Sequence, residues 1–431
     1  MSALLVALVF PVVTSGTASA TNDPFWSKQW APVKIGAPTV WGATTGSGVK
    51  IGIVDSGVDL NHQDLQGGKI VANASCIGTN GNPGACVSGG GQDIAGHGTH
   101  VAGIAAANKD NGVGIAGIAP GAQLVVARVF QSDNADLADV QAGIRWVVDQ
   151  GAKVVNLSLG ESTPLLGLLG GGASLAPALD EAWSRGAIPV VAAGNAQLLS
   201  GASNYGNVNA IVVGATGPED EIAGYSVSTG SAKWAIVAPG GDGAADREIV
   251  STYWQAGTSN QYGYLQGTSM AAPEVSGAVA LLLALGVGQQ RAVDLLLANA
   301  DKAVVCGLTC VGRLDVAAAV TATGVALTAS APSPSTTAAP VTSTTPPTTR
   351  PRVTTTRPPT TTAPTTTTTV APPETTVAPP PPSTVPPDGE SLRAAAVGKD
   401  DGSDLGPPGG LAAVLLLAVA AGTVVVRRRT V

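Results

Sequence analysis

Val49-Lys50-Ile51-Gly52-Ile53-Val54 is a short apolar run, rich in β-branched residues, that ends on the acid Asp55. Similar runs recur at residues 124–129, 154–159, 188–193, 211–213 and 234–238. Between them the apolar spacing predicts helices over 99–107, 135–150, 176–185 and 269–285. Strands buried on both faces read as nearly continuous apolar runs, and strands alternating with helices close into a parallel sheet. The fold class is therefore α/β, a three-layer fold with a mostly parallel central sheet. In such folds ligands bind where the carboxyl ends of strands meet helix N-termini, so chemistry is to be sought there.

Outward from this body the composition changes abruptly. Of 431 residues only 12% are charged and 3% aromatic, while 44% are apolar and 56 are Gly. So little charge disfavours a coiled coil, and so much apolar residue disfavours a wholly disordered chain. With 22 basic against 29 acidic residues the net charge is −7, and no basic block precedes the last few residues, so no nucleic-acid partner is expected. Residues 1–20 read as a signal peptide: an apolar stretch broken by Pro11, then Ala18-Ser19-Ala20 as a small-residue cleavage site. No Lys or Arg precedes the apolar stretch, which leaves a start further upstream open.

Residues 329–390 are almost wholly Thr, Pro, Ser, Ala and Val, a composition that cannot bury a core and favours an extended, disordered stalk. A juxtamembrane piece (391–408) leads to 409–426, eighteen uncharged residues that span about 27 Å as a helix, close to a hydrocarbon core of roughly 30 Å. Arg427-Arg428-Arg429 follows at once, and such a cluster stays cytoplasmic, so 427–431 is read as a cytoplasmic tail. The expected protein is exported, bacterial and single-pass, with the folded body (21–328) outside the membrane. A membrane partner through the C-terminal helix follows.

Within the body, three residues stand at element ends. Asp55 follows the first strand in Val54-Asp55-Ser56-Gly57-Val58-Asp59. His97 opens a small-residue helix in Gly96-His97-Gly98-Thr99-His100-Val101-Ala102-Gly103, and Ser269 lies in Gly267-Thr268-Ser269-Met270-Ala271-Ala272-Pro273. A serine hydroxyl needs a base, an imidazole accepts its proton near neutrality, and a carboxylate fixes the imidazole tautomer. Singly, each has a plainer reading: Asp55 a cap, Gly-Thr-Ser a loop, His97 with His100 a metal pair. The chain has only three histidines, His62, His97 and His100, so any imidazole chemistry uses one of them.

The three segments, in the order Asp, His, Ser, closely resemble the active-site signatures of the subtilisin-like serine proteases, and the resemblance runs over about residues 22–319. It is nearest the thermitase-like branch, through Asn22-Asp23-Pro24-Phe25 and the run from Gln150 to Gly160, while the stalk and terminal helix resemble the membrane-anchored mycosin-like proteases. The resemblance implies an endopeptidase that works through an acyl-enzyme on Ser269, with His97 as base and Asp55 orienting it. Asn195 matches the oxyanion-hole asparagine, and Ser158, Leu159 and Gly160 match the edge that pairs with substrate backbone. It further implies protein or peptide substrates, a monomeric catalytic domain, no organic cofactor, and a structural calcium ion held by Asp23, Asp64 and Asn111 with carbonyls near Lys109, Val113 and Ile115.

Ala196-Gln197-Leu198-Leu199 lies near the family's P1 pocket and suggests a large apolar P1 residue. The family commonly carries a folding prosegment, which this sequence lacks between Ala20 and the body, and commonly has His where Glu274 stands; tuning rather than loss of activity is expected from Glu274. The four cysteines pair most simply as Cys76–Cys86 and Cys306–Cys310, each closing a short loop, although three pairings are open. Two rival functions are a silent binding module on a stalk, which ordinarily lacks a triad residue, and an esterase, which places Gly-x-Ser-x-Gly before its histidine.

Overall fold

The computed structural model describes residues 21–327, apart from 133–134, 160–170, 196–202, 204, 245 and 257. The expected signal (1–20), stalk (329–390), juxtamembrane piece (391–408), apolar helix (409–426) and tail (427–431) lie outside the described residues, as do Gly160 and 196–199. Among the described residues no helix is long and apolar enough to cross a membrane.

The strands are β1 (Lys50–Asp55), β2 (Ile70–Ser75), β3 (Val87–Ser88), β4 (Gln123–Arg128), β5 (Val154–Leu157), β6 (Ile188–Ala192), β7 (Ile211–Thr216), β8 (Trp234–Pro239), β9 (Ile249–Gln255), β10 (Thr258–Leu265) and β11 (Cys310–Arg313). Nine of them form one sheet in the order β11-β8-β7-β6-β5-β1-β4-β2-β3. Every neighbouring pair is parallel except β2–β3. β1 is flanked by β4 on one side, with Ile51 beside Leu124, and by β5 on the other, with Ile51 beside Val154. The winding of the chain therefore reverses at β1.

The apolar runs are continuous because both faces are covered. Ile51, Ile53, Leu124, Val126 and Val154 pack into one core, and the alternating Val54, Val125, Ala127, Val155 and Leu157 pack into the other. Burying each such side chain contributes roughly 1.5–3 kcal/mol, which fixes the register against a one-residue slip. On the first face lie α3 (His97–Ala106) and α6 (Thr268–Ala284), packed against each other; on the second lie α4 (Leu137–Asp149) and α5 (Gly171–Ser184). Helices α1 (Trp30–Lys34), α2 (Ala37–Val40), α7 (Gln289–Ala298) and α8 (Val316–Thr321) complete the described set. Asp136 starts α4 by accepting the Ala138 N–H at 2.8 Å.

Two boundary differences bear on the strand ends, and one hairpin lies outside the sequence expectation. Helix α3 begins at His97 rather than 99, so the histidine is part of the first turn. β5 ends at Leu157 rather than 159, so Ser158 and Leu159 lie beyond the strand. The antiparallel hairpin β9–β10 was not expected, because polar residues such as Ser251, Thr252, Asn260 and Gln261 break its apolar pattern. The cysteines form Cys76–Cys86 and Cys306–Cys310, the simplest of the three pairings.

Candidate active site

The ends of β1, β5 and β6 come together at the point where the winding reverses, which is where open α/β sheets leave a crevice. Asp55 closes β1 and is fully buried; its Oδ1 accepts the Ser56 N–H at 2.7 Å and lies 2.8 Å from His97 Nδ1. Asp55 Oδ2 has no partner among the described residues. The approach depends on Gly98: a Cβ there would stand 2.0 Å from the Gly57 carbonyl oxygen and 3.1 Å from Asp55 Cβ. Only glycine lets the first turn of α3 seat against the end of β1.

His97 is partly exposed toward the cleft. Burial pulls its imidazolium form down, but the charge and hydrogen bond of Asp55, with Asp93 behind, outweigh that and hold the group above its ordinary value. His100, one turn on, is buried, and its Nε2 faces the carbonyls of Ile249 and Gly263 at 3.1 and 3.2 Å. Burial, reinforced by the His97 charge, pushes His100 down to about 3, so it is neutral. The two rings therefore address different partners, and the metal-pair reading of His97 with His100 fails.

Ser269 is the second residue of α6, after Gly267 at φ 149°, a conformation that favours glycine. Its hydroxyl donates to the Ser158 carbonyl at 3.0 Å, and the Ser158 hydroxyl donates to the Ser269 carbonyl at 2.7 Å. The second bond has a cause four residues away. Pro273 lies inside α6 and has no N–H, so the Ser269 carbonyl loses its helical partner and takes a side-chain donor instead. Behind it, Ser276 Oγ donates to Asn156 Oδ1 at 2.8 Å, and Asn156 Nδ2 donates to Ser158 Oγ at 2.9 Å. Asn156 and Ser276 escaped the sequence reading. Pro273 was the visible signal that a carbonyl beside the serine needed a donor.

Asn195 follows β6. Its Oδ1 accepts from the Thr268 N–H and hydroxyl, both at 3.0 Å, and Thr268 Oγ1 in turn accepts the Gly194 N–H at 3.2 Å. That clamp commits the carbonyl side of the amide and leaves Nδ2 as the donor. Asp55, His97, Ser158, Leu159, Asn195 and Ser269 line one cleft of about 270 Å³.

Asp23 and Asp64 are both buried. Asp64 Oδ1 accepts from Asn111 Nδ2 at 2.8 Å and its Oδ2 from the Ile115 N–H at 2.9 Å; Asp23 accepts the N–H groups of Asp110 and Asn111 at 3.0 and 3.2 Å. Burial pushes Asp64 up to about 7, and the neighbouring Asp23 charge adds to this; burial likewise raises Asp23. Neither acid forms an ion pair among the described residues. Two buried, mutually repelling carboxylates beside an Asn amide form a hard-oxygen donor set suited to a divalent cation. Glu219, Glu221 and Asp242 also cluster, but at the surface, where all three pair with the Arg247 guanidinium.

Glu274 lies five residues beyond Ser269 on α6, away from the cleft. It is fully buried, both carboxylate oxygens lack a partner among the described residues, and it faces a small cavity with Trp30, Ala31, Ile104, Ile118 and Ile249. Burial raises its carboxyl well above the ordinary range, with the Arg313 charge opposing.

Residues 46–302 match the model of the subtilase family, peptidase family S8. The chain is 40% identical to thermitase of Thermoactinomyces vulgaris over 269 residues, 62% of this chain and 86% of the relative. It is 35% identical over 286 residues to a thermophilic serine proteinase of a Bacillus species, covering 65% of this chain and 64% of that one. Among solved structures, a protease of Pseudoalteromonas arctica superposes with a TM-score of 0.57 at 27% identity, covering 70% of this chain and 99% of its own.

Proposed function

Since the chain belongs to the subtilase family and is a serine-type endopeptidase close to the thermitase-like branch, we propose that Ser269, His97, Asp55 and Asn195 carry its chemistry in the cleft at the strand ends. The observation that carries this assignment is the contact of His97 Nδ1 with buried Asp55 Oδ1 at 2.8 Å, in a cleft shared with Ser269 and the amide of Asn195. The contact presents the imidazole as an Nδ1–H tautomer, leaving Nε2 free to accept a proton. Ser269 parks its proton on the Ser158 carbonyl; substrate binding turns the hydroxyl to His97 Nε2. The oxygen then attacks the scissile carbonyl. Asn195 Nδ2 and the Ser269 N–H stabilise the oxyanion, His97 returns the proton to the leaving amine, and water reverses the sequence to free the acid. Ser158 and Leu159 offer a backbone edge to an extended peptide, giving protein or peptide substrates.

Asp23, Asp64 and Asn111, with the carbonyls of Lys109, Val113 and Ile115, would hold a structural calcium ion, which neutralises the two acids and ties the N-terminal segment to the loop after α3. Export by residues 1–20 and anchoring by 409–426 through the 329–390 stalk set this domain outside a bacterial membrane. The assignment is tested with the full-length protein, secreted with calcium present, beside Ser269→Ala. A fluorophosphonate probe should label the parent alone, and casein should be cut by the parent alone. A folded parent that takes up no probe would transfer support to the silent binding module.

A further inference from the structure

His97 is the first residue of a ten-residue helix. That is an awkward place for a base. The unpaired N–H groups and macrodipole of a helix N-terminus oppose the positive charge that the ring acquires when it takes the serine proton. A second buried carboxylate, which neither the sequence reading nor the proposed mechanism uses, meets this end of α3. Asp93 Oδ1 accepts from the N–H groups of Ala95 and Gly96, each at 2.9 Å, and from the Ser56 hydroxyl at 2.8 Å. Its Oδ2 accepts the Thr99 N–H at 2.9 Å and the Thr99 hydroxyl. Ser56 Oγ accepts the Gly98 N–H at 2.9 Å, and Thr99 Oγ1 accepts the Asp59 N–H at 2.8 Å. The backbone on both sides of His97 is thus tied, through one carboxylate, to Ser56 at the end of β1, next to Asp55.

We propose that Asp93 is a positioning residue for His97: it fixes the first turn of α3 against the end of β1 and cancels the helix-end positive charge beneath the ring. It does not touch substrate. Its charge favours the imidazolium formed as Ser269 attacks, acting together with that of Asp55. The other ionisable groups near the ring do not supply this. His100 is neutral, Tyr253 of β9 closes on Gly96 through its ring, Asp59 meets Thr99 through its backbone N–H while its carboxylate accepts from Asn61, Ser259 and Asn260, and Glu274 of α6 lies at the far end of α3 against Ile104.

The inference rests on His97 being the base, which probe labelling of the parent tests separately. The experiment uses the full-length protein with calcium and a peptide p-nitroanilide, and records kcat and KM from pH 5 to 9 for the parent and Asp93→Asn. The substitution keeps the shape and removes the charge. Expected are a folded protein by circular dichroism, an unchanged KM, a kcat lower by about 10- to 100-fold, and a kinetic pKa about half a unit lower. Parent-like kcat and pKa, or a lower kcat with the pKa unmoved, would overturn the proposal, since a mere brace moves no pKa. Should Asp93→Asn not fold, Ser56→Ala decides, because it cuts the tie to Gly98 and keeps the charge: kcat should fall several-fold at constant KM, and a parent-like kcat would overturn it. If the parent labels and these variants behave as the parent does, this inference alone fails. An unlabelled parent removes the assignment beneath it.

Discussion

Two buried carboxylates, one just ahead of α3 and one within α6, have opposite surroundings. Asp93, at the head of α3, accepts five hydrogen bonds; Glu274, inside α6, accepts none among the described residues. The reason is backbone arithmetic. The first turn of a helix has N–H groups to give away, whereas in the interior each N–H is already spent on the carbonyl four residues back. Asp55 lies between these extremes, with one oxygen satisfied and the other bare. The difference teaches where this fold can keep a negative charge in its interior: at strand ends and helix starts, where the cleft is, and not along the helix that carries the serine.

The hardest break is at Asp55. Asp55→Asn keeps the shape and offers the wrong hydrogen-bonding partner to Nδ1, so kcat should drop about 10⁴-fold while KM holds, read by steady-state kinetics. Asn195→Ala removes a cleft donor and should cost about 10²–10³ in kcat, the magnitude known for the oxyanion asparagine of subtilisin. In the parent, kcat/KM should rise with pH and reach half its plateau above 6.5, since His97 must lose a proton that Asp55 and Asp93 help it hold. A half-plateau point below 6.5 would mean that burial outweighs the two carboxylates at the ring.

The Glu274 side is sharpened through stability. The folded chain holds a proton on Glu274 that the unfolded chain releases above its ordinary value of 4.5. Rising pH therefore favours unfolding, by about 1.4 kcal/mol per unit between 4.5 and the raised folded value. In a Ser269→Ala background, which prevents self-digestion, Glu274→Gln should unfold at a higher temperature than its parent at pH 7, and the two should converge near pH 4. A gap that persists at pH 4 would place the effect in packing instead of protonation. The smallest effect concerns the pair Asp23 and Asp64. Chelation should lower the midpoint of the same background by what a tenfold excess over Kd supplies, about 1.4 kcal/mol, and Asp64→Asn should abolish the response.

β1 was legible because burial on both faces leaves an unbroken apolar run, and Asp55, His97 and Ser269 because they sit at element ends in small-residue settings. The hairpin β9–β10 was not, since its strands are polar and half-exposed, and what holds them is partly the carbonyl contacts of His62 with Gln261 and of His100 with Ile249 and Gly263. Asp93 precedes His97 by four residues and looks like any turn acid; its importance lies in Ser56, which is distant in sequence. Glu274 stood out as a residue type, yet its isolation depends on Trp30, Ile104 and Ile249, contributed by three other elements.

Those carbonyl contacts have a consequence for watching the enzyme at work. His62 and His100 are both pulled down by burial, whereas Asp55 and Asp93 hold His97 above its ordinary value, so His97 is the imidazole that keeps its charge to the highest pH. The chain thus carries its own reporter: the histidine proton resonance that moves last as the pH rises belongs to the ring that lines the cleft. Substrate analogues, chelators and substitutions can be followed at that nucleus without adding a label.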